Sequence, residues 1–403
     1  MTRPRKPGFL TGTAMLSLIW LGIPLVGKAL AFLSVFLLPL TRDKTGDRIG
    51  ALRAFMLLSI VYGAYICLRS VAAGEGAAEP VLDTLPVMAL PVMAYLFIRR
   101  PVRIDVRLLY RGLVLLVFTL FAVMWVEVRA TGIAEAELAL GNPFNLAVLL
   151  LLPALLLTFD RFAPDTRWFI AGLTGFAFMV WSLGALVQTR SLFLGIIVLG
   201  VLRVAGALLE GPGVRVRMPA AGAIAAALAL AVVAMYALPS QSARYTALVD
   251  GISGSQEVPE WSVGLRRTML REGVDAAGAA PLFGYGPQNR FSAAFEGKEQ
   301  LPIELSHLHN EFLTHAVAGG LPAALLMTLL LLSPAIAGWR NNGALTATRA
   351  HQRRQVGLLA SLGLLGTAAV NNVYFVDISA FTTTLTLLWS LVFLEALRHG
   401  ETS

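Results

Sequence analysis

Apolar positions along the chain fall into long blocks at 9–23, 25–40, 50–72, 80–98, 108–128, 144–159, 168–188, 191–209, 218–238, 311–338, 356–371 and 378–397. Short polar connections separate them, with one exception. From Pro239 to His309 the chain stays hydrophilic for about 70 residues. A helix needs about 20 apolar residues to cross roughly 30 Å of hydrocarbon. Only helices cross singly, because in lipid every backbone polar group needs a partner within the segment. The pattern predicts an all-α integral membrane protein of about 12 transmembrane helices with one large loop. The first two blocks share one apolar run, which Gly22-Ile23-Pro24 breaks into a hairpin. Three regions follow: residues 1–238 with helices 1–9, residues 239–310 as the loop, and residues 311–403 with helices 10–12.

Charge orients these spans. With the N-terminus inside, the short cytoplasmic segments hold 22 Lys and Arg residues, among them Arg99, Arg100, Arg103, Arg353 and Arg354. The short outer segments hold four: Lys28, Arg69, Arg129 and Arg190. Lys and Arg gather in short cytoplasmic loops, and long loops do not count in that rule. One misplaced span would scramble every later loop, so the alternation supports twelve spans with both termini inside and the long loop outside. The basic start, MTRPRKPG before an apolar run, has the form of a signal peptide. No A-x-A-like site follows promptly, so it reads as the first membrane segment.

Composition agrees. The chain is 57% apolar and 14% charged, against about 45–50% and 25% in soluble domains; mean hydropathy is +0.72. Its net charge of +8 follows from the cytoplasmic loops. No basic patch is interleaved with aromatics, so nucleic acid is excluded as a partner. A single cysteine, Cys67, rules out an intrachain disulfide and a Cys-based metal site.

There is no P-loop, GxGxxG, HExxH or Cys/His zinc spacing, so no cofactor and no metal are expected. Glu135 and Glu137 form an E-x-E in an outer loop, where acidic residues are ordinary. Candidate chemistry gathers instead at the outer rim. Arg190 lies in QTRS between two spans. It either snorkels to headgroups or serves a ligand, since an Arg at the rim costs energy unless paired or functional. In the long loop, WSVGLRRTMLREGVDAAG reads as a helix with Leu265, Met269 and Val274 on one side, suited to lie on the membrane surface. It carries Arg266, Arg267 and Arg271. Arg266 and Arg267 point about 100° apart, so one can face inward and the other solvent or lipid phosphate. PLFGYGPQNRF then makes a Gly/Pro-rich turn. The loop ends at His307-Leu308-His309-Asn310. His309 is placed to act as a general base. His315, about 1.7 turns on, reads as a packed polar residue roughly 9 Å deeper in a regular helix. Guanidinium forks match phosphate oxygens, and an imidazole beside them can deprotonate a hydroxyl. Such a set suits transfer from a lipid-linked phosphate donor to an alcohol.

At these residues the sequence resembles the bacterial O-antigen ligase family, which shares a domain with O-antigen polymerases and some protein O-oligosaccharyltransferases. The resemblance rests on QTRS at Arg190, on R-x14-P-L-x-G-x-G from Arg266 to Gly286, and on H-N-x9-G from His309-Asn310 to Gly320. Two positions depart from the usual pattern, Ala323 and Leu270. The resemblance implies a GT-C-like, metal-independent glycosyltransferase of the inner membrane with its active site on the periplasmic side. Its donor would be O-antigen polysaccharide on undecaprenyl pyrophosphate, and its acceptor a sugar hydroxyl of lipid A-core. His309 would be the base, Arg190 and Arg266 would bind the pyrophosphate, and Arg267 and Asn310 would also meet substrate.

Three alternatives stay open. An O-antigen polymerase uses the same donor; the Arg190, Arg266 and His309 set looks more like a ligase. A protein oligosaccharyltransferase usually carries more sequence after the last span. A transporter shows two related halves with midplane polar groups, whereas here the charges gather at the rim.

Overall fold

The computed structural model describes residues 50–76, 78–98, 106–131, 143–185, 190–209, 221–222, 224–226, 228–229, 261–295, 308–340, 342, 345–371 and 377–399. Among them every regular element is helical. The helices are α1 (Gly50–Ala72), α2 (Ala78–Ile98), α3 (Val106–Thr131), α4 (Pro143–Leu156), α5 (Thr166–Ala185), α6 (Arg190–Leu209), α7 (Trp261–Ala279), α8 (Arg290–Phe295), α9 (Glu311–Trp339), α10 (Ala347–Val370) and α11 (Asp377–His399). A 3-10 turn, Asp160–Phe162, links α4 to α5. All but α7 and α8 coincide with apolar blocks of the sequence; those two lie in the long loop. The first two blocks, and the ninth except for short helical pieces, lie outside the described residues. Among the described residues three stretches, Ala51–Ala72, Arg107–Ala130 and Glu311–Trp339, are long and apolar enough to cross a membrane.

α10 starts nine residues before its apolar block. The Thr346 hydroxyl caps it by accepting from the Arg349 amide at 3.5 Å, and the added turns carry Arg349, Arg353 and Arg354. Periodicity of apolar residues cannot register such a polar extension. Prolines sit inside α2, α4 and α9, where neighbouring groups take over the freed backbone bonds. At Pro334, for instance, the Ser333 hydroxyl donates to the Leu330 carbonyl at 2.7 Å, and the Ser361 hydroxyl accepts from the Ala335 amide at 3.0 Å.

Side-chain contacts fix the helix directions. Tyr110 of α3 meets Gly172 of α5, and Val117 meets Gly175, so these two run parallel. α6 and α10 run antiparallel, since Arg203 reaches Gln355 while Leu199 lies on Gly363. α9 and α10 are antiparallel too, with Gly338 against Arg353 and Pro334 against Gly357. One end of the bundle therefore gathers the starts of α3, α5 and α10 and the ends of α6, α9 and α11. Arg353 ties that end together. Only 2% exposed, its guanidinium donates to the carbonyls of Leu394 (3.1 Å), Arg340 (3.2 Å) and Ala337 (3.1 Å), and to the Asn342 side chain. A buried cation here is satisfied by helix C-termini, whose carbonyls lack helical partners and carry partial negative charge.

α9 is not one straight rod. Gly320 has φ 72° and ψ −172°, outside the helical range. Continued from Gly338 and Pro334, the α9–α10 register would carry Asn310 well past the end of α10. Instead, the Asn310 side-chain amide donates to the Ala369 carbonyl at 3.0 Å. The segment from Glu311 to Gly319 therefore turns aside at Gly320. Leu321–Trp339 alone has 19 residues, about 28 Å of helix, enough to span most of a bilayer. The block read as one span is thus a span plus a short, almost wholly buried helix at its head. Within that head segment His315 meets Tyr62 of α1, seven residues back from Arg69.

Candidate active site

The head segment of α9 carries the site. Asn310 caps it: its side-chain oxygen accepts from the Leu313 amide at 3.0 Å, satisfying a donor left over at the helix start. With its amide fixed on Ala369 as well, Asn310 is spent on structure at both ends of its side chain. The preceding residue, His309, adopts φ 51°, a left-handed conformation uncommon for side-chain-bearing residues. This turns the imidazole away from the helix and towards the end of α10. There Nδ1 lies 3.3 Å from the Asn371 side-chain oxygen. That oxygen only accepts, so Nδ1 carries the proton and Nε2 keeps its lone pair. Burial and the Arg266 guanidinium push the His309 pKa below its ordinary 6.5, and the hydrogen bond with Asn371 opposes them. The sign is clear: both leading causes disfavour the cation, so the ring is neutral, and basic at Nε2, at neutral pH.

Arg266 arrives on α7. This helix packs through Met269, Glu272, Gly273 and Ala276, with Leu265 partly buried. Val274, expected on the same side as Leu265 and Met269, is 55% exposed. The reason is geometric: nine residues on from Leu265 is about half a turn out of phase. Met269 joins Leu308, Leu313 and Val317 in a small core shared with α8. Gly273 permits it, since a Cβ there would run into Leu308 and Leu313. Arg266 and Arg267 are both exposed; of the two, Arg266 acts on His309. Arg271 pairs with its neighbour Glu272 at 2.8 Å.

Pro281 ends α7, and the turn through Gly286 docks on the break in α9. The Tyr285 and Gly286 amides donate to the Val317 and Ala318 carbonyls at 2.8 Å, and the Leu321 amide donates to Pro281 at 2.8 Å. Gly284 and Gly320 both have positive φ, and a Cβ on either would collide with the other strand's backbone. The two glycine-bearing motifs of the sequence are therefore two halves of one contact.

α1 grips this contact from the other side. The Tyr65 hydroxyl donates to Gly319 at 2.6 Å. Arg69 donates to the carbonyls of Phe283 (2.7 Å) and Gly284 (3.3 Å). Glu75 accepts from the Gln288 and Asn289 amides at 3.0 and 2.9 Å, with Ser70 on its second oxygen at 2.9 Å. Tyr62 meets His315 Nε2 at 2.7 Å, and His315 Nδ1 lies 3.1 Å from a Glu311 carboxylate oxygen and 2.9 Å from its carbonyl. His315 is thus packed and hydrogen-bonded on both ring nitrogens. Sequence reading assigned no role to Tyr62, Tyr65, Glu75 or Asn371. The available signal was Tyr62, Tyr65 and Arg69 at i, i+3 and i+7, a polar stripe on an otherwise apolar helix.

Arg190 opens α6. Stepping nine residues back from Leu199 reaches Arg190, and nine up from Gly363 runs just past Asn371, the C-cap of α10. The backbone of Arg190 therefore starts at the level where His309 is held. His307, Arg244, Glu135 and Glu137 lie outside the described residues.

A family model described as O-antigen ligase matches residues 146–328, from α4 into α9. No protein of curated function matches the chain. The matched stretch holds Arg190, Arg266, the Pro281–Gly286 turn, His309 and Gly320, and over it the chain is similar to the O-antigen ligase family.

Proposed function

We propose that this membrane protein is an O-antigen ligase, a GT-C-like glycosyltransferase moving O-antigen polysaccharide from undecaprenyl pyrophosphate to a sugar hydroxyl of lipid A-core. The family supplies the coarser part, a glycosyltransferase-like activity in O-antigen processing. The observation that carries the finer reading is His309, with Nδ1 on Asn371 and its ring kept neutral by burial and by Arg266. In the proposed reaction the acceptor hydroxyl oxygen attacks C1 of the donor sugar, and its proton passes to His309 Nε2. The C1–O bond breaks with its electron pair going to the pyrophosphate. Arg266 and Arg190 stabilise the charge that grows there, more in the transition state than before it. Pyrophosphate is already a good leaving group, so the reading needs neither a general acid nor a metal. Direct attack inverts the anomeric centre. Asn310 holds the helix that presents His309, and its placement favours a structural part over substrate contact. The site faces the periplasm in this reading, and both termini face the cytoplasm.

The test is a strain lacking the gene, with its lipopolysaccharide run on a gel and its undecaprenyl-linked pool probed. Core-only lipid A beside long polymer still on undecaprenyl pyrophosphate is the expected outcome. Lipid A-core capped by a single repeat unit would overturn the ligase reading in favour of a polymerase.

A further inference from the structure

Two of the most exposed large apolar side chains in the described structure adjoin each other in the turn that docks on α9. Leu282 is 63% exposed and Phe283 61%. The turn is otherwise tightly held, by three backbone hydrogen bonds to α9 and two donated by Arg69. Its tip is therefore presented outward by a rigid base. Beside it on α9 stand Leu321 (61%) and, one turn on, Leu325 (60%). The contacts make this surface continuous. The Leu321 amide bonds to Pro281, Gly320 abuts the Leu282 carbonyl, and the Arg69 guanidinium lies 5.8 Å from the Phe283 ring centre. α1 and α9 both contain stretches apolar enough to cross a membrane. Leucines exposed on such helices face lipid. An apolar patch of this extent marks an interaction surface.

We propose that the Pro281–Gly286 turn is a wedge seated in the bilayer, with Leu282 and Phe283 among the acyl chains and Arg69 at the polar edge. The occupant is lipid because the patch runs on into Leu321 and Leu325, exposed on a stretch long and apolar enough to cross a membrane. Arg69 fits the edge position. Its stem lies along the apolar surface, while its head is satisfied by the Phe283 and Gly284 carbonyls and by the ring face. The wedge shares its base with the His309 segment, through Val317 and Ala318. Its seating sets the mouth of the site at headgroup level, where a substrate carrying a lipid tail arrives laterally. That consequence rests on the lipid-linked donor reading; the wedge itself does not.

The test uses the full chain in nanodiscs of phosphatidylglycerol and phosphatidylethanolamine. Cys67 is the only cysteine, so Cys67→Ser gives a blank background for a nitroxide at Phe283→Cys, at Leu282→Cys, and at Asp275→Cys as an exposed reference on α7. Oxygen should relax the labels at 282 and 283 several-fold more than a water-soluble nickel chelate does, with the order reversed at 275. A nickel preference at 282 and 283 would place the turn in water and overturn the wedge. Dipolar broadening between labels would also overturn it, because a second copy of the chain would then cover the patch. Both substitutions are at exposed positions, and either one alone decides the question. The readout involves no turnover, so failure of the wedge and failure of the ligase reading are separable.

Discussion

At the scale of single residues, the chemistry comes down to which proton His309 holds. Asn371 fixes the tautomer, and burial with Arg266 keeps the ring neutral. A base works only when unprotonated, so turnover should fall as pH drops through a value below 6.5, the ordinary pKa of the ring. Arg266→Gln removes a cation that disfavours the imidazolium. Its residual activity should show the acid limb shifted upward, toward about 6.5. Asn371→Ala removes the one opposing interaction and should shift the limb downward. His309→Ala should cost about 10²–10⁴-fold, the usual reach of general base catalysis, with the protein still folded and inserted. A pH–rate profile of purified protein with lipid-linked donor checks all three. An acid limb that ignores Arg266→Gln would dissociate the two residues.

At the scale of elements, the decisive feature is the break in α9. Gly320→Ala places a Cβ at φ 72° against the Leu282 backbone. Positive φ with ψ near 180° is essentially reserved to glycine and costs about 1–3 kcal/mol for another residue, and the collision adds to it. Thermal unfolding in detergent should show a loss of at least about 2 kcal/mol, with activity lost although His309 is untouched. Leu325→Ala, exposed one turn beyond, should do neither. Most helices were legible from sequence because a membrane span is set by composition and length, and helix ends fell where polar residues and prolines stood. The break was not legible: Gly319-Gly320-Leu321-Pro322 sits in an unbroken apolar run, and hydropathy has no sensitivity to φ. Likewise Leu265, Met269 and Val274 read as one side of a helix, and Val274 departs from the other two because a nine-residue step accumulates half a turn. Of the site, His309, Arg266 and the glycine motifs could be read off as local patterns. Asn371, Tyr65 and Glu75 could not, since each meets its partner across at least 60 residues of chain.

At the scale of the molecule, helix directions divide the charges between two ends. Arg353 is held among the carbonyls of Ala337, Arg340 and Leu394. Arg111 stacks on Trp168, and Arg203 on Phe159, at that same end. His309, Asn371, Arg69 and the Glu75 clamp occupy the other. Lys and Arg resist translocation when they flank a span closely, so the Arg353 end should face the cytoplasm and the site end the opposite compartment. This makes a prediction independent of any substrate. In a Cys67→Ser background, Gln288→Cys and Arg354→Cys both introduce thiols at exposed positions. A membrane-impermeant maleimide applied to intact spheroplasts should label position 288 at once, and position 354 only after permeabilisation. The inverse result would put the imidazole and its guanidiniums in the cytoplasm. Undecaprenyl-linked polymer would then have to meet its acceptor before export, and the assignment of donor and acceptor would fall with the topology.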